Sequence, residues 1–334
     1  MMDRNLALEL VRVTEAAALV SSKFMGKGDK NGADGAAVEA MRKAFESVKV
    51  NGEVVIGEGE LDEAPMLYIG EKVGMKTKES REVDIAVDPL DGTTLIAKGL
   101  PNAISVIAMG SKGSLLNAPD TYMKKIAVGP KAKGSIDLNK TPEENIVNVA
   151  KALGKKTTQM TIIVQDRERH NDIIQAARKL GARIKMFGDG DVAAAIATCF
   201  EDTGIDMLMG IGGGPEGVIT AVAIKCMGGD MQAQIYPLSE QEKVRCQEMG
   251  FSDEDLEKVL SIDDLARGDE LFFAATGITE GDLLKGVIQI GSDKAKTQSV
   301  VMRAKTGTIR FVDAIHNLDK NEILVELMKK YNME

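Results

Sequence analysis

MTIIVQDRERHNDIIQAARKLGARIKMFGDGDVAAAIATCFEDTGIDMLMGIGGGPEGVITAVAIKCM, residues Met160–Met227, is the stretch that decides the fold. Met160–Val164 is an apolar run of strand length, Asn171–Leu180 reads as a helix and Arg183–Phe187 as a strand. Asp191–Phe200 follows as an alanine-rich helix, Ile205–Met209 as a strand, and Gly217–Met227 as a helix closed by Gly228 and Gly229. Strands alternating with helices in this rhythm predict an α/β layer.

Upstream, Leu6, Leu10, Val13, Ala17 and Val20 recur at three- and four-residue spacings and predict an amphipathic helix over Asp3–Lys23. A polar loop, Gly26–Gly32, leads to a second helix from Gly35 to Val48 with Asp34 as its N-cap. Glu53–Ile56 reads as a strand, Pro65–Val73 as a helix with proline in its first turn, and Val83–Asp88 alternates as a strand. Further strands are predicted at Ala103–Met109, Ser114–Asn117 and Lys125–Val128. Thr141-Pro142-Glu143-Glu144 is a capping pattern that opens a helix within Asn139–Leu153. Downstream, Glu240–Met249 and Asp253–Leu260 read as exposed helices. Glu270–Ala275, Val287–Ile290, Gln298–Arg303 and Gly307–Phe311 read as strands. The change of rhythm near residue 155 suggests an N-terminal α+β domain, 1–155, and a C-terminal α/β domain, 156–334.

Composition excludes several classes of function. The chain has 334 residues, a length that suits two domains, and 42 Lys+Arg against 51 Asp+Glu give a net charge of −9. An acidic balance with 4% aromatics is a poor match to a nucleic-acid binder. The longest uncharged run, Gly99–Ser111, is 13 residues and contains Gly, Pro and Asn, so no membrane span is predicted. Charges at Asp3, Arg4, Glu9, Arg12 and Glu15 are wrong for a signal-peptide core. Cys199, Cys226 and Cys246 are an odd number without CxxC spacing, which argues against a disulfide framework or a zinc knuckle. A soluble, cytoplasmic protein is the expectation. With two histidines, His170 and His316, a histidine-rich metal centre is impossible, and nucleophilic triads have few candidate bases.

Acidic clusters carry the chemistry. In Val83-Asp84-Ile85-Ala86-Val87-Asp88-Pro89-Leu90-Asp91-Gly92-Thr93-Thr94, two carboxylates three residues apart share a tight turn after an apolar strand. Their mutual repulsion calls for a cation, and oxygen-only ligands suit Mg²⁺ or Mn²⁺. Ile56-Gly57-Glu58-Gly59-Glu60-Leu61-Asp62-Glu63 is a second acidic turn, with glycines on both sides of Glu58. Glu60 and Glu63 read as solvated, and Asp34 taken alone as a helix cap. Gly210-Ile211-Gly212-Gly213-Gly214-Pro215-Glu216 reads as a glycine loop feeding a helix whose first-turn amides suit an oxyanion. Gly188-Asp189-Gly190-Asp191 sits between a strand and a helix, with Asp191 a plausible N-cap and Asp189 left for a ligand. Arg167-Glu168-Arg169 presents two guanidiniums suited to phosphate.

Taken together these segments resemble the class II fructose-1,6-bisphosphatases, the bacterial type within the lithium-sensitive, metal-dependent sugar and inositol phosphatase superfamily. The carrying residues run from Gly28-Asp29-Lys30-Asn31 and Ala33-Asp34-Gly35 through Val55–Glu60, Asp62–Tyr68, Asp88–Thr93 and Asn117–Asp120. They continue with Asp189–Ala193 and Gly210–Gly217, so nearly the whole chain is covered in order. D-P-x-D-G-T marks the superfamily, and the Gly-Glu-Gly-Glu and Gly-Asp-Lys-Asn segments point to class II. Some members carry Glu where this chain has Asp91, and Lys-Pro-Arg where it has Arg167-Glu168-Arg169. Charge is kept at both places.

The resemblance implies a layered α/β (α+β) sugar-phosphatase fold of stacked helices and mixed sheets, in two halves with the active site between them. It implies metal ligands Asp34, Glu58, Asp88, Asp91 and Glu216 for two or three Mg²⁺ or Mn²⁺ ions. Substrate contacts fall on Asp91, Gly92, Thr93, Tyr122, Arg167, Arg169, Asp189, Gly190, Asp191 and Gly213. Catalytic roles fall on Thr93, Asp34 and Asp91. The implied reaction is hydrolysis of the 1-phosphate of fructose 1,6-bisphosphate to fructose 6-phosphate and phosphate, a gluconeogenic step. Alternatives are a preference for sedoheptulose 1,7-bisphosphate and a non-hydrolytic sugar-phosphate sensor. The expected partner is a small-molecule sugar bisphosphate, with no nucleic acid and no membrane, and the base rate for such chains is a homodimer or homotetramer.

Overall fold

Two mixed sheets, each layered with helices, organise the chain, and each belongs to its own compact unit. The computed structural model describes residues 5–59, 66–77 and 80–331. Unit one comprises Met1–Leu115 and Asp269–Glu334, and unit two Leu116–Gly268. The boundary near 155 suggested by the sequence falls within unit two, before its strand Thr161–Gln165. The chain returns to the first sheet only after residue 268.

Strands and helices are numbered in chain order. In unit one, β1 (Asn51–Ile56), β2 (Lys72–Val73), β3 (Glu82–Asp91), β4 (Ile104–Ser111), β11 (Leu271–Gly277), β12 (Ile288–Ile290) and β13 (Lys294–Arg303) run in the order β12-β13-β11-β4-β3-β1-β2. The strand β14 (Thr308–Asn317) pairs with β13. β1 and β3 are parallel and the other pairs antiparallel. Helices α1 (Leu6–Ser21), α2 (Lys30–Phe45), α3 (Thr93–Lys98) and α11 (Glu322–Lys330) complete the unit. Leu10, Met41, Phe45, Ile85, Ile107 and Phe272 share one core.

Unit two holds β5 (Tyr122–Val128), β6 (Thr161–Gln165), β7 (Arg183–Phe187), β8 (Met207–Gly213), β9 (Asp230–Ile235) and β10 (Leu260–Ser261), in the order β10-β9-β5-β8-β6-β7. Its helices are α4 (Pro142–Ala152), α5 (Asn171–Lys179), α6 (Val192–Ile196), α7 (Gly214–Cys226), α8 (Glu240–Glu248), α9 (Asp253–Glu257) and α10 (Ile262–Leu265). β6, β7 and β8 are parallel to one another, as the strand–helix rhythm predicts. The capping box expected at α4 is formed, with the Thr141 hydroxyl accepting from the Glu144 amide and the Glu144 carboxylate accepting from the Thr141 amide.

Several local expectations change. α2 opens at Lys30 because Asp29, not Asp34, caps it by accepting from the Gly32 amide at 2.8 Å. Asp34 therefore lies inside the helix. β3 continues through Pro89 to Asp91, past its expected end. Residues 66–71 form bends and turns before β2 rather than a helix, and Pro65 lies outside the described residues. Ser114–Asn117 is irregular apart from one bridge at Leu115, while β9 and α11 appear where no element is expected. The largest change concerns Gly210–Gly213. It is not a loop but the second half of β8, hydrogen-bonded in register with Lys125–Tyr122.

Candidate active site

In unit one the acidic residues are set by a bulge. β3 and β4 pair from Val83↔Ser111 to Asp88↔Val106 and resume at Asp91↔Ile104, so Pro89 and Leu90 lie opposite Ser105 alone. Proline has no amide to give to a ladder, and a bulge tolerates that loss while re-aiming its neighbours. Asp88 Oδ1 accepts from the Leu90 amide at 3.0 Å. Asp91 is buried, and Gly92, at φ 98°, turns the chain into α3, which starts at Thr93. Parallel pairing of Ile56 with Ala86 leaves Glu58 and Asp88 two residues beyond the same pair. The Glu58 amide donates to Leu67 O at 3.0 Å across Gly57, where a Cβ would strike that carbonyl.

The loop before α2 docks on α3. Gly26 and Gly28 amides donate to Ile96 and Ala97 carbonyls at 2.8 and 2.9 Å, and Lys30 Nζ donates to Thr94 Oγ1 at 2.8 Å. The start of α2, which carries Asp34, is thereby tied to the start of α3, which carries Thr93. Burial raises the Asp34 pKa from its ordinary value.

In unit two the glycine strand makes room for charged side chains. Lys125 is buried on β5, and its Nζ donates to Asp191 Oδ2 at 2.5 Å and to Gly213 O at 2.7 Å. A Cβ on Gly212 would collide with Asp191 Oδ2 and stand 3.2 Å from Lys125 Nζ; one on Gly213 would collide with Glu216 Oε2. Asp191 stands at the N-cap position of α6, yet its side chain makes no cap bond and goes to Lys125 instead. Asp191 Oδ1 and Glu216 Oε2 are buried without hydrogen-bond partners among the described residues. Burial raises the Glu216 pKa; Lys125 opposes the rise and Asp191 adds to it.

The arginine segment grips the same strand. Arg169 Nε and Nη2 donate to Ile211 O at 3.1 and 2.9 Å, and its guanidinium lies 5.1 Å from the centre of the Tyr122 ring. His170 is fully buried; its Nε2 accepts from the Ile211 amide at 2.8 Å, and its Nδ1 meets Gln165 O at 2.8 Å. Arg167 is exposed and donates to the Asp166 carbonyl at 2.9 Å. Asp189 is half-buried, and Gly190, at φ 70°, turns the chain between Asp189 and Asp191.

Unit one thus carries Asp34, Glu58, Asp88, Asp91, Gly92 and Thr93. Unit two carries Tyr122, Arg167, Arg169, Asp189, Gly190, Asp191, Gly213 and Glu216. Lys125 and the structural part of His170 are not foreseen from the sequence. Their signal is the glycine run, which marks backbone that side chains approach closely. Among the described residues, no group of three or more His, Cys, Asp or Glu side chains is arranged to hold a metal ion. The chemistry of the expected donors still fits a hard dication. All are carboxylate oxygens, and Glu216 offers one that is buried and unpartnered.

An acidic bulge in unit one, and a glycine strand gripped by Arg169 in unit two, are groups suited to phosphoester chemistry. Residues 4–316 match the family model described as bacterial fructose-1,6-bisphosphatase, glpX-encoded. The fructose-1,6-bisphosphatase 1 class 2 of Escherichia coli (strain K12) and the fructose-1,6-bisphosphatase class 2 of Shigella flexneri are each 48% identical to this chain. Each alignment covers 96% of the chain and 98% of the relative. The chain belongs to the class II fructose-1,6-bisphosphatase family.

Proposed function

We propose that the chain hydrolyses the 1-phosphate of fructose 1,6-bisphosphate to fructose 6-phosphate and phosphate. The observation that carries this is 48% identity to a class 2 fructose-1,6-bisphosphatase over almost the full length of both chains. The acidic bulge of unit one and the arginine-held glycine strand of unit two supply groups suited to that chemistry. We also place the family within the lithium-sensitive sugar and inositol phosphatases on the strength of Asp88-Pro89-Leu90-Asp91-Gly92-Thr93.

In this proposal Asp34, Glu58, Asp88, Asp91 and Glu216 hold two or three Mg²⁺ or Mn²⁺ ions. When bound, these ions neutralise charge on the ester phosphate and its leaving oxygen and make water a better nucleophile. The protein's own groups do the rest. The Thr93 hydroxyl, at the start of α3, orients the attacking water, and a carboxylate oxygen of Asp34 or Asp91 takes its proton. Water attacks phosphorus in line, the ester P–O bond breaks, and the sugar oxygen leaves. Arg167, Arg169 and Tyr122 hold the distal phosphate, Asp189 and Asp191 the sugar hydroxyls, and Gly92, Gly190 and Gly213 offer backbone at close approach. Binding at the remote end positions the scissile one. A cytoplasmic homo-oligomer is the setting we propose. No helix among the described residues is long and apolar enough to cross a membrane.

The test is phosphate release with Mg²⁺ and with Mn²⁺ from fructose 1,6-bisphosphate, sedoheptulose 1,7-bisphosphate and inositol 1-phosphate. Highest kcat/KM on the fructose ester supports the proposal. Binding without turnover on every substrate would return the chain to a sensor.

A further inference from the structure

The buried ammonium of Lys125 has no place in the roles assigned so far. It is 3% exposed on β5, in a strand whose partner across the ladder is Gly210. Burying a lysine–aspartate pair costs desolvation that its own attraction seldom exceeds, and apolar residues of similar volume would serve the fold as well. Two features show what the pair does. Lys125 engages one oxygen of Asp191, Oδ2, and leaves Oδ1 buried without a partner. It also ties the Gly213 carbonyl, one residue before α7, whose first turn carries Glu216 with a second unpartnered buried oxygen. Its stem packs against that same turn, since a Cβ on Gly217 would lie 3.5 Å from Lys125 Cδ.

We infer that Lys125 is a positioning residue of the substrate site: its ammonium fixes the Asp191 carboxylate and the Gly213 backbone so that Asp191 Oδ1 faces a sugar hydroxyl. The inference rests on the proposed sugar contact of Asp191 and goes beyond it, because Lys125 itself touches no substrate. One ammonium with two fixed acceptors sets the orientation of both, whereas an unanchored Asp191 would turn about its side-chain torsions or fold back to cap α6.

The experiment compares Lys125→Met, Lys125→Arg, Asp191→Asn and the Lys125→Met/Asp191→Asn double variant with the wild type. Folding is checked by circular dichroism and thermal melting. Fructose 6-phosphate binding is measured by calorimetry in the presence of Mg²⁺, alongside KM and kcat. Lys125→Met is expected to weaken fructose 6-phosphate binding and raise KM by about ten- to a hundredfold, the range for one charge-assisted hydrogen bond. The change in kcat is expected to be smaller. Lys125→Arg should recover part of the loss, and the double variant should bind no worse than Asp191→Asn. If Lys125→Met fails to fold, the double variant, which no longer leaves Asp191 as an uncompensated charge, is compared with Asp191→Asn directly. Binding by Lys125→Met within about twofold of wild type, or losses that multiply in the double variant, would overturn the inference. Wild-type protein that binds no fructose 6-phosphate and releases no phosphate would sink the proposed function and this inference with it. A normal wild type with an unaffected Lys125→Met sinks the inference alone.

Discussion

Replacing His170 with Phe tests how the glycine strand is held. The imidazole is fully buried, and its two nitrogens meet Gln165 O and the Ile211 amide, each at 2.8 Å. Phe keeps a flat ring and loses both bonds. The Ile211 amide loses its acceptor, whereas Gln165 O still accepts from the Arg167 amide at 2.9 Å, so the loss in stability is about 1–3 kcal/mol. The same residue makes stability depend on pH. Burial, with help from the Arg169 charge, lowers the His170 pKa below its ordinary 6.5. The folded state therefore stays neutral in a range where the unfolded chain takes up a proton. Stability from this residue is full above about pH 6.5 and falls as pH drops toward the lower folded value, at up to about 1.4 kcal/mol per unit. A protonated Nε2 could no longer accept from Ile211. Urea denaturation of wild type and His170→Phe at pH 7.5 and pH 5.5 measures both effects. The variant should be less stable at pH 7.5, and the gap should narrow at pH 5.5. Equal stabilities at pH 7.5, or a gap independent of pH, would refute the reasoning.

Three further outcomes are expected. Glu15, buried beside Thr297 in unit one, has a pKa raised by burial to about 7, so its contribution to stability is full near pH 4.5 and is lost as pH rises through 7. Glu15→Gln should stabilise the protein at pH 8, by at most about 3 kcal/mol, and have little effect near pH 4.5, as read from denaturation midpoints. Thr93→Ala should lower kcat far more than it raises KM; a change in KM alone would remove Thr93 from the chemical step. Asp88→Asn should abolish activity and divalent-metal activation together, and full turnover in that variant, or in the wild type under exhaustive chelation, would contradict the proposed ligand set.

What the sequence discloses depends on how local the cause is. α4 is legible because Thr141 and Glu144 cap it within one turn, and β7 because Ile184 and Met186 alternate with Arg183 and Lys185 between Gly181 and Gly188. The start of α2 is misplaced by sequence reasoning because two aspartates, Asp29 and Asp34, both suit a cap. Only the bond to the Gly32 amide decides between them. β9 escapes notice because its alternation is carried by Gln232 and Gln234, whose side-chain amides bond backbone at Ile136, Leu138 and Leu256, a pattern weak in β-branched residues. The candidate site divides in the same way. Asp88 and Asp91 declare themselves through Pro89 and Gly92, whereas Lys125 sits in an ordinary strand and draws meaning from Asp191, 66 residues away.

Gly210–Gly213 shows why the remainder is illegible. A run of glycines after a strand is most economically read as a turn, since glycine weakens an extended ladder and frees the backbone. Here each glycine has a different tertiary reason to lack a side chain. A Cβ at Gly210 would stand 3.3 Å from His170 Nε2, one at Gly212 would meet Asp191 and Lys125, and one at Gly213 would meet Glu216. The strand is kept extended by its neighbours, through seven paired positions with β5 and the grip of Arg169 and His170 on Ile211. Charged groups from α6, α7 and β5 thus reach a bare backbone surface that no alternating strand would offer. Gly212→Ala, which restores a single methyl to that surface, should then displace Asp191 from Lys125 and weaken fructose 6-phosphate binding as Asp191→Asn does. Unchanged binding would mean that the glycines serve the backbone alone and that the polar cluster above them is incidental.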